Sequence, residues 1–402
     1  MNVLGLDVSK DNVCAALLFT EDANTEPRKL YLSLPFSRLY ANPAGIKSLL
    51  ALSPDVAVLE PTGVNYTRIW ATKLAEAGVQ VMLVGHKQLR TFREALGLPD
   101  KDDQADSLAL ALYYLQKQNN PLAFVRQRDD VVAQMRDITL RLHHAARVQS
   151  PLINRIRQDL AWQYPEAAKR RLEGVLFWGW MAGERKSLRY DLELKNTCGL
   201  GLTDHTRRLA KLLWEVLEHE QILERELRSL LDDPRFLSYR KVFAQFGFGE
   251  RIEALILSQI YPLENYLKDG SPEVLLSRSK KDPKRKTKKN ISERKFLKAL
   301  GVAPSREYSG DMKATKKAGS ELVRTALWQW CFTRIEVKRN RPVNLPDTTW
   351  EIPNSSEILK GSLAEYFDRM HSHKPIKLAR SKTCAKASLE LFRLLVKEVI
   401  TQ

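Results

Sequence analysis

The strongest constraint on the fold is a change of hydrophobic period early in the chain. Three short apolar runs come first, at residues 3–8, 13–19 and 29–36, and each reads as a strand. Lys10-Asp11-Asn12 and the polar stretch 21–28 separate them, as in a meander. The period then lengthens. Residues 46–52, 66–77, 87–96 and 103–116 read as helices, with buried strands at 56–60 and 79–84 and a helix stop at Gly78. Three antiparallel strands followed by strand–helix units predict a mixed sheet flanked by helices.

A different rhythm follows. Val131, Met135, Ile138, Leu142, Ala145, Leu152 and Ile156 form an apolar ladder that only Gln149 interrupts. Leu209, Leu213, Val216, Leu223, Leu227 and Leu230 form a second, with Glu220 as its one charged rung. Both are heptad seams and predict coiled-coil pairing, with each other or between chains. Pro151 is expected to kink or split the first helix. Residues 162–200, with Trp178 and Trp180, read as a locally packed insertion, and the chain beyond about Tyr239 as mainly helical. The expected regions are an α/β domain at 1–125, a coiled-coil region at 126–235 and a carboxy-terminal domain at 236–402.

Charge narrows the partners. Lys and Arg number 65 against 48 Asp and Glu, a net +17, which points to a polyanion such as nucleic acid or an anionic membrane. No apolar run reaches the ~18–20 residues that cross a bilayer, and Asp7 interrupts the apolar start that a signal peptide needs. Cys14, Cys198, Cys331 and Cys384 are scattered, which fits a reducing cytosol.

The acids carry the chemistry. Asp7 closes the first strand and Glu60 stands in the same position on a later one. Asp103 and Asp106 open a helix three residues apart, so they share a face. The element order is that of an RNase H-type core, whose opening actin-type ATPases share, and such winding brings all four carboxylates to one sheet edge. Mg²⁺ suits carboxylate oxygens plus phosphate, and two ions about 3.5–4 Å apart clamp a phosphoryl transfer. Asp103 and Asp106 also suit a helix start through its dipole alone.

Other candidates lie downstream. Gly247 and Gly249 precede a helical pattern and leave its amides open to a phosphate, or they serve a packed turn. Ser309, before Gly310 and near Arg306, Lys313, Lys316 and Lys317, reads as a nucleophile on a phosphodiester or as a surface loop. The run 278–289 holds eight Lys or Arg, among them Lys280, Lys281, Lys284, Arg285, Lys286, Lys288 and Lys289. It reads as a phosphate-binding or simply solvated loop. His143 and His144 read as helix-surface residues.

Four blocks together resemble one family. Gly5-Leu6-Asp7-Val8-Ser9-Lys10, Glu60-Pro61-Thr62-Gly63, Lys101-Asp102-Asp103-Gln104-Ala105-Asp106 and Gly301-Val302-Ala303-Pro304 through Ser309-Gly310 occur in its order and spacing. It is the DEDD transposase family of insertion sequences related to the Piv DNA invertase, understood as bridge-RNA-guided recombinases. The resemblance covers residues 1–335 or so. It implies a RuvC-like domain with Asp7, Glu60, Asp103 and Asp106 as metal-binding tetrad, and Ser309 as nucleophile of a carboxy-terminal transposase domain. It also implies Mg²⁺, donor and target DNA, a structured guide RNA, and a homo-oligomer of two or four protomers in a bacterial cytoplasm at the nucleoid. The family usually reads Lys-Thr-Asp at Lys101-Asp102-Asp103, and Pro-Gly-Ile-Gly at Phe246-Gly247-Phe248-Gly249. The rivals are a Holliday-junction-type nuclease, a protein-guided invertase, an actin-type kinase and a non-enzymatic RNA-binding protein. After Glu60 the Gly-rich loops of a kinase are not found.

Overall fold

The computed structural model describes residues 1–400 except 64, 99–100, 121–122, 126–128, 169–173, 279–285, 310–311 and 338–354, and leaves out the side chains of 306–309, 312–315, 355–358 and 360. Two compact units divide the chain, Met1–Arg128 and Asp129–Gln402.

In the first unit the elements run β1 (Asn2–Val8), β2 (Asn12–Phe19), α1 (Pro27–Ser33), β3 (Ser37–Tyr40) and α2 (Pro43–Ala51). They continue with β4 (Val56–Leu59), α3 (Tyr66–Glu76), β5 (Gln80–Leu83), α4 (His86–Ala95) and α5 (Asp103–Lys117). The sheet order is β3-β2-β1-β4-β5. β1, β2 and β3 pair antiparallel, whereas β4 and β5 join parallel. This is the RNase H-like winding that the element order predicts. Leu4, Leu6 and Leu59 pack on one side with Trp70 and Leu74, while Val3 and Val58 face α5 and its neighbours on the other. α5 is buried all round from Ala105 to Leu115, as a helix pressed into a sheet must be.

One strand is misplaced by the sequence. Residues 29–36 were expected as strand, but Pro27 sits at the first helical position, where its fixed φ starts α1. The third strand is instead Ser37–Tyr40, held by pairing with β2 from Asn12↔Tyr40 to Ala15↔Ser37.

The second unit begins with α6 (Asp130–Gln163), α7 (Pro165–Ala168), α8 (Val175–Ala182), α9 (Leu188–Lys195), α10 (Asp204–Leu231), α11 (Leu237–Phe246) and α12 (Glu250–Ile260). Short strands β6 (Leu267–Lys268), β7 (Ser271–Pro272), β8 (Val274–Arg278) and β9 (Lys286–Asn290) follow, then α13 (Ile291–Ala299), β10 (Ser305–Ser309) and β11 (Met312–Lys316). α14 (Glu321–Trp330), α15 (Ser355–His371) and α16 (Ile376–Ile400) complete it.

α6 and α10 pack antiparallel. Met135, Ile138 and Leu142 share a core with Leu223 and Leu227, whereas Ile156 and Leu160 share another with Ala210 and Leu213. The two ladders thus close on each other within one chain. Gln149 and Glu220, the two interruptions, hydrogen-bond across the seam. At the ends the buried face slips by one residue, to Val132, Ala210 and Leu231. A straight helix of 3.6 residues per turn drifts in this way from a heptad. α6 remains one helical element through Pro151, with Leu142 and Ala145 buried before it and Ile156 and Leu160 after it. Residues 162–200 pack locally, as Phe177, Trp178, Trp180 and Tyr190 join the end of α6 in its own core. No helix among the described residues is long and apolar enough to cross a membrane.

Candidate active site

The sheet register places the first two acids. Leu6 pairs with Leu59, so Asp7 and Glu60 leave neighbouring parallel strands at the same edge. The turn after Glu60 is tied down. The Thr67 hydroxyl donates to the Glu60 carbonyl at 2.8 Å and accepts from the Thr62 N–H at 2.8 Å.

Gly5 brings in the other two. A Cβ at Gly5 would lie 1.9 Å from the Ser107 carbonyl oxygen and 2.8 Å from the Ala111 nitrogen. Only glycine lets α5 lie this close to β1, with Asp103 and Asp106 in its first turn. Gly5→Ala is therefore expected to cost about 3 kcal/mol through overpacking against backbone, read as a lowered unfolding temperature. A variant as stable as the wild type would mean that α5 can back away. Asp102 caps α5, accepting from the Ala105 N–H at 2.7 Å and from the Tyr31 hydroxyl at 2.9 Å. Both Asp102 carboxylate oxygens are thereby engaged, one by the cap and one by Tyr31.

Charge accumulates at this edge. Burial, followed by the negative charges of Asp106, Asp103 and Glu60, pushes the half-buried Asp7 up to about 7. Burial also raises Asp106, partly offset by Arg93. Arg93 Nη1 lies 3.2 Å from Asp106 Oδ1, yet off the hydrogen-bond direction, so this buried nitrogen has no hydrogen bond among the described residues. Arg38 pairs with the exposed Asp103 at 3.1 Å, and the His86 imidazole contacts Glu60. Three acids thus lean on a basic side chain, whereas the Asp7 carboxylate makes no hydrogen bond or ion pair among the described residues.

Sequence reasoning missed Arg38, His86 and Arg93. A signal existed for two of them, because His86 and Arg93 are seven residues apart and share one face of α4. Among the described residues no three carboxylate, imidazole or thiol side chains converge closely enough to hold a metal as they stand. The donor chemistry still fits a hard divalent cation, since four carboxylates share an edge that weakens the acidity of Asp7.

The remaining candidates lie in the second unit. Ser309 ends β10 and pairs with Met312 across the hairpin to β11. The side chains of Ser309, Arg306 and Lys313 and all of Gly310 lie outside the described residues, while Lys316 and Lys317 are exposed. Gly247 ends α11 at φ 61°, in the left-handed region, and Gly249 caps α12 with nothing within 4 Å of its missing Cβ. Between them Phe248 is buried, stacked on Phe246 at 5.2 Å and edge-on to Trp330 at 5.1 Å. The pair builds a packed turn and leaves the Gly249 backbone approachable. Lys280, Lys281, Lys284 and Arg285 lie outside the described residues. Lys286, Lys288 and Lys289 are exposed on β9, which pairs with β8 as a ribbon where a loop was expected. His143 and His144 are exposed on α6. None of the four cysteines forms a disulfide.

Residues 4–165 match the model of the family DEDD_Tnp_IS110, described as Transposase. Two solved structures of RuvC from Thermus thermophilus are similar to part of the chain. One, in complex with Holliday junction substrate, is 18% identical and covers 31% of this chain and 99% of its own, with a TM-score of 0.23. The other is 17% identical and covers 31% and 98%, with the same TM-score. No curated protein matches the chain.

Proposed function

From the match of residues 4–165 to the DEDD transposase family, we propose that the chain cleaves and rejoins DNA strands, with Ser309 as nucleophile. The observation that carries this reading is the edge shared by Asp7, Glu60, Asp103 and Asp106, where Asp7 meets only negative neighbours and Lys101. These four residues would hold Mg²⁺, which when bound polarises a phosphate and neutralises the charge of its transition state. The Ser309 hydroxyl loses its proton and its oxygen attacks a DNA phosphate. An Oγ–P bond forms, a P–O bond of the strand breaks, and the leaving oxygen takes up a proton to give a free hydroxyl end. Rejoining reverses these steps with a hydroxyl end of the second strand. Bond energy stays in the phosphoserine, so no ATP is spent.

Arg38, the His86 imidazole and Arg93 rest on three of the four acids, where bound Mg²⁺ would supply the counter-charge. Donor and target DNA, and a structured guide RNA, meet the second unit at the Gly249 backbone and at Lys286, Lys288, Lys289, Lys316 and Lys317. The α6–α10 seam is filled within one chain, so the homo-oligomer of this reading is built on other surfaces. The setting is the bacterial cytoplasm, at the nucleoid. One observation favours a second reading, a Holliday-junction-type nuclease using water: all four acids belong to the first unit and need nothing from Ser309.

The test is copurification from the host with the flanking element DNA, followed by RNA sequencing and strand-exchange assays with Mg²⁺ or EDTA. Exchange that stops in EDTA and a single structured RNA are the expected results. Exchange indifferent to EDTA would remove the metal from the mechanism. Random cellular RNA alone would remove the guide and leave a protein-guided invertase.

A further inference from the structure

One groove of the second unit plays no part in the chemistry above. It encloses about 650 Å³ where α6, α12 and α14 meet, within the range of small-molecule sites. Its walls are aliphatic. Leu142 and Leu255 are buried there, and Ile252 and Leu322 are partly buried. Arg147 and Arg251 stand at its rim, exposed on opposite elements. Arg251 is held by Glu220 and Glu224. The Arg147 guanidinium makes no hydrogen bond or ion pair among the described residues. Pro151 also lines the groove and has no N–H for the Arg147 carbonyl one turn earlier.

We propose that this groove receives one unstacked nucleotide of a nucleic-acid strand, its base between the aliphatic walls and its phosphate on Arg147. The inference rests on the nucleic-acid reading above. A flat base gains by leaving water for apolar side chains, and a guanidinium grips a phosphate with two parallel hydrogen bonds. Thr325 and Gln329, exposed on α14 at the groove, add groups that can read a base edge. An apolar peptide side chain would fill the walls but leave Arg147 without a partner. A chain of net charge +17 favours the polyanion.

The probes are oligo(dT) and oligo(U) carrying photoreactive 4-thio bases at every position, so that any base can enter the groove. The variants are Ala146→Phe, which places a ring in the groove from an exposed helix position, and Arg147→Glu. Crosslinks to peptides of α6, α12 or α14 that line the groove are expected in the wild type. Both variants should lose them and bind about tenfold more weakly, with unchanged unfolding temperature. Tight binding with crosslinks only elsewhere, equal in wild type and variants, would overturn the groove and leave the nucleic-acid reading standing. No binding of either oligonucleotide would overturn both. Thymidine monophosphate that saturates the groove, with no crosslink from either strand, would overturn the strand and assign the site to a free nucleotide.

Discussion

Asp7→Asn is expected to lower DNA cleavage by about a thousandfold while making the metal-free protein more stable at pH 8. Both effects have one cause. Asp7 is pushed from 3.8 to about 7 by burial and by the neighbouring acids, so the folded chain keeps a proton there that the unfolded chain has already lost. Stability therefore falls as pH rises from about 4 to about 7, and stays low above it. The full rise corresponds to at most about 4 kcal/mol. Discounted for the partial exposure of Asp7, about 2 kcal/mol remains. Asparagine keeps the shape and removes the charge, so the gain should be largest at pH 8 and shrink toward pH 5. Mg²⁺ should stabilise the wild type and not the variant, since only a ligand that binds the folded state shifts unfolding. Thermal unfolding in EDTA and in Mg²⁺, at both pH values, checks this beside a plasmid-cleavage assay. An Asp7→Asn protein less stable than wild type at pH 8 in EDTA would sink the electrostatic account.

The readable part of this site was the part written in local pattern. Asp7 and Glu60 stood out because an acid closes an otherwise apolar strand, and the parallel pairing of β1 with β4 puts them side by side. Asp103 and Asp106 stood out because a helix begins there. Arg38, His86 and Arg93 did not, since their partners depend on register. His86 meets Glu60 only because β5 lies next to β4 and α4 starts directly after β5. Gly5 was visible as part of a motif, but its purpose needs α5, a hundred residues on, lying against its Cα. Gln149 and Glu220 were each legible as exceptions, and 71 residues of separation hid that they are one pair. Residues 29–36 misled because Leu30, Tyr31, Leu32 and Leu34 suit a strand or a helix, and Pro27 decided between them. Ser309 is the opposite case. Its cationic neighbours suit a nucleophile or a surface turn equally, and only the resemblance favours the first.

Ser309→Ala is for that reason the second decisive variant. If the serine oxygen forms the bond to phosphorus, removing it should abolish strand exchange and any detergent-resistant protein–DNA adduct, by at least about ten-thousandfold. Its cost to the fold should be small. Ser309 is the last residue of β10, paired with Met312 at the hairpin end, and strand preferences span only about 1 kcal/mol. The Mg²⁺-dependent rise in unfolding temperature should persist, because the four acids belong to Met1–Arg128. Loss of exchange with the metal response intact therefore points to the nucleophile and not to misfolding. A hydrolytic nuclease predicts a different pattern, in which Ser309→Ala cuts junction DNA at the wild-type rate and Asp7→Asn does not cut at all. Adduct formation, junction cleavage and the metal response, measured together on both variants, separate the two chemistries. Wild-type exchange by Ser309→Ala would remove the covalent step whatever the acids do.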